Sequence, residues 1–356
     1  MNLGSSPVRI SSANLADYAR RVLAECTSLT ANKTETRRIS LPFLEIEARF
    51  TDSGYASSCD RGLISGRVET DTTDTVHLIV ADGETEGTPA SASWGEAFLL
   101  PLEVEKLLAA SNLRGSFFHD SRIWEFYDLD ARIGASIAPT STAYPPWESS
   151  APLRTLLHWA YLGIGLRLVH AATLGLDGRG ALIAGAGGAG KSGLTLAGIV
   201  AGLDSVGDDY VLVDPRQHPK AYPIFRMAKT DEAGRRRLGL DNHIGDLGPT
   251  NWQDKYEFDF ARLGRGKRVD CLEIEAILVP RITDQPGTSI RPVNAREAML
   301  ALAPSGILQL PGDRQSGARV YGALVRQLPC YRVDVGHDPA AAAEAIADFL
   351  RGGNSR

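Results

Sequence analysis

Residues 185–192 read Gly-Ala-Gly-Gly-Ala-Gly-Lys-Ser, which fits the phosphate-binding pattern G-x-x-x-x-G-K-[ST]. The apolar run at 181–184 predicts a buried strand before this loop, and the apolar run at 194–200 predicts the first turns of a packed helix after it. Glycines let backbone N–H groups turn inward around phosphate oxygens without interference from a Cβ atom. Because strand, loop and helix come in the order that the motif requires, the stretch predicts a nucleotide site rather than a Gly/Ala-rich loop that only resembles one.

The loop also predicts roles for its side chains. A helix that starts at Lys191 adds a favourable dipole for anionic oxygens. Lys191 is expected to reach the β- and γ-phosphates of a triphosphate, and the Ser192 hydroxyl is expected to ligate Mg²⁺. The residues predicted to contact the nucleotide are Gly185, Ala186, Gly187, Gly188, Ala189, Gly190, Lys191, Ser192 and Gly193.

Length and composition are typical of a globular protein with room for two domains. The chain has 356 residues, of which 43% are hydrophobic and 23% are charged. A formal net charge of −5 gives no reason to expect nucleic acid or an anionic membrane as a partner.

The cysteines and the amino-terminal segment predict a cytoplasmic location. Neither a zinc site nor a disulfide framework is expected, because no C-x-x-C pair occurs among Cys26, Cys59, Cys271 and Cys330. Free thiols in a reducing compartment are the simpler interpretation. The first residues lack the basic and apolar segments of a signal peptide, and no run approaches the roughly 20 apolar residues of a membrane span.

The first 150 residues predict a smaller β-rich or α+β domain. A helix is expected from Ser12, with Ser11 or Ser12 as its cap, and strands are expected at 43–50, 76–80 and 123–127. His77 and His119 stand alone in this region and are interpreted as structural. No catalytic group of residues occurs here, so we expect an accessory domain.

Prolines indicate where this domain ends. Pro145, Pro146 and Pro152 fix φ and disfavour helix, so a boundary is expected near 140–152 and the domains are predicted as 1–150 and 151–356. Apolar residues at helical spacing then predict one long buried helix over 153–170.

The second domain alternates strand and helix signals, which predicts an α/β fold. Strands are expected at 170–174, after Asp209, at 274–279 with an end at Pro280, and at 328–335. Helices are expected at 295–302, with Asn294 as the N-cap, and at 340–350.

Two adjacent carboxylates are the main candidates for chemistry. Asp208 and Asp209 follow Lys191 by 17 and 18 residues, just far enough for one helix and the next strand to return them to the loop. One carboxylate could hold Mg²⁺ while the other accepts the proton of an attacking hydroxyl, and their repulsion could raise one pKa. Which aspartate has which role is left open, and a solvated Asp-Asp turn is the alternative.

Basic residues near the acidic pair have two interpretations. Arg226, Lys229 and the triplet Arg235-Arg236-Arg237 could supply charge to a γ-phosphate, and a solvated basic face explains the triplet equally well. By itself His170 is typical of a hydrogen-bonded core residue, and His158 is interpreted as structural.

Taken together, the motifs resemble those of a known family. His170-Ala-Ala, the loop at 185–192 and Gly207-Asp208-Asp209-Tyr210 come in the order and spacing of the C-terminal domain of HPr kinase/phosphorylase. The chain looks most like the wider group of related bacterial serine kinases, which includes lasso-peptide tailoring kinases. The resemblance covers roughly 155–350.

The resemblance implies an α/β P-loop kinase domain of the HPr kinase/phosphoenolpyruvate carboxykinase type that uses ATP and Mg²⁺. It implies a reaction centre of His170, Lys191, Ser192, Asp208 and Asp209, with one aspartate as base and the histidine near the transferred phosphate. It also leaves room for a homo-oligomer.

Two departures from the family pattern bear on the acceptor. The family has Glu after the loop serine, whereas this chain has Gly193, and the family's glycine-rich Glu-Leu-Arg-Gly-Leu-Gly segment is not found. HPr is therefore not the expected acceptor, and Lys229 is a candidate substitute for the arginine of that segment.

The sequence thus predicts an ATP- and Mg²⁺-dependent kinase that phosphorylates a hydroxyl of a peptide, a protein or a small molecule. The first domain is expected to select the acceptor. Two alternatives stay open: a non-catalytic nucleotide-binding switch, and a carboxykinase-type enzyme on a small acid, which would need an arginine cluster in the pocket.

Overall fold

A computed structural model describes residues 10–30, 32–65, 74–89 and 100–352, and only the backbone at 304–308. The chain divides into two compact units. The first contains residues up to Asp60, Ser65–Ile164 and Leu310–Asp313, and the second contains Arg61–Ile64, Gly165–Gln309 and the residues from Arg314 onward.

In the residues that the structure describes, the first unit combines α-helices with a six-stranded sheet, and the last two residues of α2 fall in the second unit. In chain order the elements are α1 (Ser12–Ser28), β1 (Glu35–Leu41), β2 (Leu44–Phe50), α2 (Ser53–Gly62), β3 (Asp74–Asp82), α3 (Pro101–Leu108), β4 (Leu113–Phe118), β5 (Ile123–Asp128), β6 (Ile133–Ala138) and α4 (Arg154–Gly163). The strand order is β1-β2-β3-β6-β5-β4, with parallel pairing of β3 to both β2 and β6.

Helix α1 forms for the reason that its sequence predicts. The Ser11 side chain accepts a hydrogen bond from the backbone N–H of Asn14 and so caps the helix. Apolar residues at helical spacing, among them Leu15 and Val22, are fully buried. They share a core with Trp124 and Phe126 of β5.

The second unit is a mixed α/β structure. Its elements are β7 (Arg167–Val169), β8 (Ala172–Leu176), β9 (Arg179–Ile183), α5 (Lys191–Ala201), β10 (Val211–Asp214), β11 (Lys220–Tyr222), β12 (Met227–Asp231), α6 (Glu232–Arg237), β13 (Lys255–Asp259), β14 (Leu272–Ile282), β15 (Ser289–Pro292), α7 (Ala295–Leu308), α8 (Arg314–Gln327), β16 (Cys330–Val335) and α9 (Pro339–Arg351).

Strand β14 is the centre of the main sheet of this unit. It pairs in parallel with β9 and β16, and antiparallel with β11. The strand order is β15-β16-β14-β11-β10-β7, with β9 joined to β14 and β8 joined to β9. β12 and β13 form a separate two-stranded antiparallel sheet with α6 in the connection between them, here called the hairpin. The expectation of an α/β fold is confirmed at this level.

Two expectations from the sequence are wrong, for local physical reasons. The predicted helix over 153–170 ends at Gly163, because Gly165 has a φ of +80° and the next residues form β7. A continuous apolar run does not distinguish a buried helix from a buried strand. The strand predicted to end at Pro280 continues to Ile282. Pairing with β9 ends at Leu278, so at Pro280 only β16 remains as a neighbour. A proline, which has no N–H to donate, is tolerated where a strand is paired on one side only.

The domain boundary after residue 150 stays a prediction. Helix α4, which follows that boundary in sequence, belongs to the first compact unit. Within the described ranges, the helices are too short or too polar to cross a membrane.

Replacing Gly266 with alanine is expected to lower the free energy of unfolding by about 3 kcal/mol. Gly266 packs against the end of α5, where its N–H donates to Ile199 O at 2.9 Å. A Cβ at this position would lie 1.9 Å from Leu203 O, so backbone would have to move. Urea unfolding measures the change.

The matched control for this substitution is Gly287→Ala. A Cβ at Gly287 meets no atom within 4 Å, so that variant should unfold like the wild type. Equal stability of the two variants would show that the close approach at Gly266 is absent in solution.

Candidate functional site

The predicted phosphate loop connects β9 to α5, as the motif requires. The N–H of Ala184 donates to Leu278 O at 2.9 Å, which anchors the start of the loop to β14. Gly188 and Gly190 have φ values of +80° and +98°, a region that side-chain-bearing residues rarely adopt. Gly190 is the N-cap of the 11-residue helix α5 and has no side chain to accept a hydrogen bond. The first N–H groups of the helix, which have no partner within the helix, therefore face the loop.

Lys191 lies under the loop and is largely buried. Its Nζ donates to Gly185 O at 2.7 Å. Burial lowers the pKa of Lys191, while the negative charges of Asp209 and Asp208 act in the opposite direction. The ammonium group is therefore held at the loop, where an anionic ligand would stabilise its charge.

Strand pairing brings His170 to the acidic pair. β7 and β10 are antiparallel with Val169 opposite Val211, so the residue after β7 meets the residues before β10. His170 Nε2 lies 2.9 Å from Asp209 Oδ1, and the His170 ring stacks on Tyr210 with centroids 4.9 Å apart. Because a carboxylate oxygen accepts, Nε2 is the nitrogen that donates to Asp209 Oδ1, and the buried Nδ1 has no hydrogen-bond partner among the described residues.

Buried hydroxyl groups fix the segment that carries the two aspartates. Thr173 on β8 accepts a hydrogen bond from the N–H of Val206, and its hydroxyl lies 3.1 Å from that of Ser205. The N–H of Thr173 donates to Gly207 O at 3.0 Å. The segment before β10 is thus attached to β8, which pairs with β9, the strand that leads into the loop.

Asp208 is the most buried carboxylate of the site, with 2% of its surface exposed. Its Oδ2 accepts a hydrogen bond from the N–H of Lys229 at 3.4 Å, and its Oδ1 has no partner among the described residues. Burial, and secondly the charge of Asp209, raise the pKa of Asp208 to about 6, while a hydrogen bond with Ser192 lowers it. The sequence indicated the repulsion between the aspartates, but burial is the larger cause.

The hairpin of β12 and β13 adds a cation to Asp209. Lys229 pairs with Glu257 across the hairpin. Lys229 Nζ lies 3.5 Å from Asp209 Oδ2 and 3.9 Å from Glu257 Oε1. The two oxygens of Asp209 therefore face two different donors, His170 and Lys229.

The structure separates the three arginines of the triplet. Arg235 pairs with Glu232 and Asp241, and Arg236 pairs with Glu232. Arg237 makes no ion pair with any residue in the described part of the chain and lines the cavity over the loop. Arg226, the fourth candidate, is not among the residues that line this cavity.

These groups surround one cavity of about 290 Å³, here called the phosphate cavity. Its charged lining comprises the cations Lys191, Lys229, Arg237 and Lys255 and the carboxylates Asp208, Asp209 and Asp231. His170 and Ser192 also line it. Of the nine predicted contact residues, Gly185 and Ala189 are not part of the lining.

Sequence reasoning missed the residues that the hairpin and β14 bring to the cavity: Thr230, Asp231, Gly234, Gln253, Lys255 and Ile282. The alternation of Lys255–Asp259 is a strand signal that could have been used. That signal does not show that the strand at Lys255–Asp259 pairs with β12.

The residues that line the cavity could help to hold a magnesium ion if a bound ligand supplied most of the coordinating oxygens. Among the described residues there is no group of three or more His, Cys, Asp or Glu side chains that could hold a metal. Ser192 and the unpartnered Oδ1 of Asp208 offer two oxygens. Mg²⁺ in phosphate sites is commonly bound by one or two protein groups, substrate phosphates and water.

Comparisons with known proteins add little. No family model matches the chain, and no curated protein matches it. Among solved structures it is similar to the HPr(Ser) kinase/phosphatase from Coxiella burnetii, with 14% sequence identity and a TM-score of 0.28 over 52% of this chain and 97% of that chain. A likeness of this size is too weak to indicate function.

Proposed function

We propose that the protein is a Mg²⁺-dependent kinase that transfers the γ-phosphate of ATP to a hydroxyl group of a peptide, a protein or a small molecule. One observation carries the proposal. Asp209 is held by His170 and Lys229 in the same cavity as the phosphate loop and the buried Asp208. A carboxylate oriented by two donors beside a phosphate site is suited to accept a proton from an acceptor hydroxyl.

The other groups of the site bind the phosphates or stabilise their negative charge. Lys191 and the loop N–H groups bind the phosphates, and Ser192 with Asp208 would hold Mg²⁺. When bound, the ion would neutralise phosphate charge. His170 lies beside Asp209, where it keeps the carboxylate oriented.

The proposed reaction balances without a further reactant. The acceptor oxygen forms a bond to the γ-phosphorus, and the bond between that phosphorus and the β,γ-bridging oxygen breaks. ADP leaves, and the proton of the hydroxyl passes to Asp209. Without an acceptor, water would take its place and give ADP and inorganic phosphate.

Replacing Asp209 with asparagine tests the function directly. The variant keeps the shape of the side chain but cannot accept the proton, so phosphoryl transfer should fall at least 100-fold. ³¹P NMR of ATP with water, serine, threonine and serine peptides as acceptors measures the rate. Asp241→Asn is the matched control, because Asp241 is an exposed partner of Arg235 outside the cavity. Equal rates for the two variants would contradict the proposal.

Arg237→Ala is expected to weaken ATP binding about tenfold, because it removes from the cavity a cation that forms no ion pair with the residues the structure describes. Arg236→Ala should leave ATP affinity unchanged, since Arg236 pairs with Glu232 outside the cavity. Isothermal titration with Mg-ATP compares the two. If only Arg236→Ala lost affinity for ATP, Arg236 and not Arg237 would be the arginine that contacts the nucleotide.

The two alternatives are less well supported. A nucleotide-binding switch needs no carboxylate held by His170 and Lys229. A carboxykinase-type site needs several arginines, and of the four candidates only Arg237 lines the cavity. Thermal stabilisation by ATP without any turnover would favour the switch. The role of the first domain in selecting the acceptor stays a prediction.

A further inference from the structure

A second, smaller cleft adjoins the phosphate cavity. It has a volume of about 40 Å³ and shares Gly190, Gly193, Arg237 and Ile282 with that cavity. Its remaining lining is mostly apolar: Leu194, Ala197, Leu238, Val335, Gly336, His337, Pro339 and Ala342. We call it the apolar cleft.

Small residues keep this cleft open. Ala197 on α5 and Ala342 at the start of α9 form part of its wall. Gly193 leaves the passage to the phosphate cavity free, since a Cβ there would already lie 3.7 Å from Arg237 Nη2. A longer side chain at position 193 would extend toward the guanidinium and narrow the passage.

The position of the cleft relative to the reactive groups indicates which part of a ligand it takes. His170, Asp208, Asp209 and Lys229 line the phosphate cavity but not the apolar cleft. On the proposed function, the γ-phosphate lies toward those side chains. The nucleoside of the same ATP molecule can then extend into the apolar cleft past Gly193, which lines both spaces.

The chemistry of the lining suits a planar heteroaromatic ring. Aliphatic walls contact the faces of such a ring, and a guanidinium stacks on it favourably. Arg237 lines both spaces, so it can contact the ring and the phosphates together. The cleft is too small to enclose a purine and is expected to cover only part of it.

We propose that the apolar cleft between α5 and α9 binds the nucleobase of ATP. This inference rests on the proposed function and deepens it, because it gives the orientation of the nucleotide across the loop. Its consequence is that the base adds affinity that inorganic triphosphate cannot gain.

Filling the cleft separates base binding from phosphate binding. Ala197→Leu and Ala342→Leu place methyl groups in the cleft at two positions that do not line the phosphate cavity. Isothermal titration in the presence of Mg²⁺ compares ATP with inorganic tripolyphosphate. We expect the Kd of ATP to rise at least tenfold and that of tripolyphosphate to change less than twofold.

Other results of this titration overturn one proposal or the other. Unchanged ATP affinity in both folded variants would overturn the base site and leave the kinase proposal intact. A wild-type protein that binds neither ATP nor tripolyphosphate would overturn the proposed function itself.

A second variant avoids the core, because both alanines are buried and their enlargement could disturb folding. His337 is exposed on the rim of the cleft, so His337→Trp provides a fluorescent reporter there. Its emission, corrected for the wild-type tryptophans, should change with ATP and stay constant with tripolyphosphate. No change with ATP, or the same change with both ligands, would overturn the base site.

Discussion

Replacing Lys191 with alanine is expected to reduce ATP turnover about 1000-fold, the loss typical of removing one preorganised group that stabilises developing charge. Lys191 is the cation beneath the loop, with its Nζ 2.7 Å from Gly185 O. A bound phosphate would replace that carbonyl as its partner. Without the ammonium group, both ATP affinity and the rate of transfer should fall.

The fold should survive this substitution. Because burial lowers the pKa of Lys191, the folded chain disfavours its charge, and alanine is not expected to lower the free energy of unfolding. Circular dichroism and urea unfolding check this point, and release of ADP measures turnover. Lys220→Ala is the control, since Lys220 is an exposed lysine on β11. Undiminished turnover in Lys191→Ala would refute the assigned mechanism.

Replacing Glu125 with glutamine is expected to stabilise the protein by about 4 kcal/mol at pH 8 and hardly at all near pH 4. Glu125 lies on β5 between Ser116 and Ser136, and its Oε2 has no partner among the described residues. Burial, and secondly the charge of Glu148, raise its pKa to about 8.

The sign follows from proton binding. Between pH 4.5 and 8 the unfolded chain releases the proton of Glu125 while the folded chain keeps it, so the free energy of unfolding falls as pH rises through this window. Glutamine has no proton to release, so the variant should lose this slope.

Urea unfolding at pH 5, 6.5 and 8 measures the slope by tryptophan fluorescence, to which the buried Trp124 and Trp159 of the first unit contribute. Glu84→Gln is the matched control at an exposed position and should keep the wild-type profile. Parallel pH profiles for the wild type and Glu125→Gln would show that Glu125 ionises normally in the folded chain.

Several elements could be predicted because their signals are local. The cap at Ser11, the strand at Leu44–Phe50 and the helix after Lys191 depend on residues close together in sequence, and all three are confirmed. The helix predicted over 153–170 failed because a segment that is apolar on most sides can form either a buried helix or a buried strand. Pairing of β7 with β10 decides the structure of its last residues.

The sequence by itself determined the chemistry that the loop offers. Glycines that allow left-handed backbone at Gly188 and Gly190, a lysine and a hydroxyl follow one another along the chain, so short-range geometry is enough to predict them. The nearby Asp208-Asp209 pair could be placed by its short distance along the chain from the loop, and it lies between α5 and β10.

Only the tertiary structure decided which distant side chains complete the site. Strand pairing brings His170 to Asp209, and the hairpin brings Lys229 and Lys255 to the cavity. Arg237 lines the cavity, whereas Arg235 forms ion pairs with carboxylates elsewhere. These choices depend on contacts between segments far apart in the chain. Such contacts follow from how strands pair and which surfaces are buried, and no local pattern specifies them.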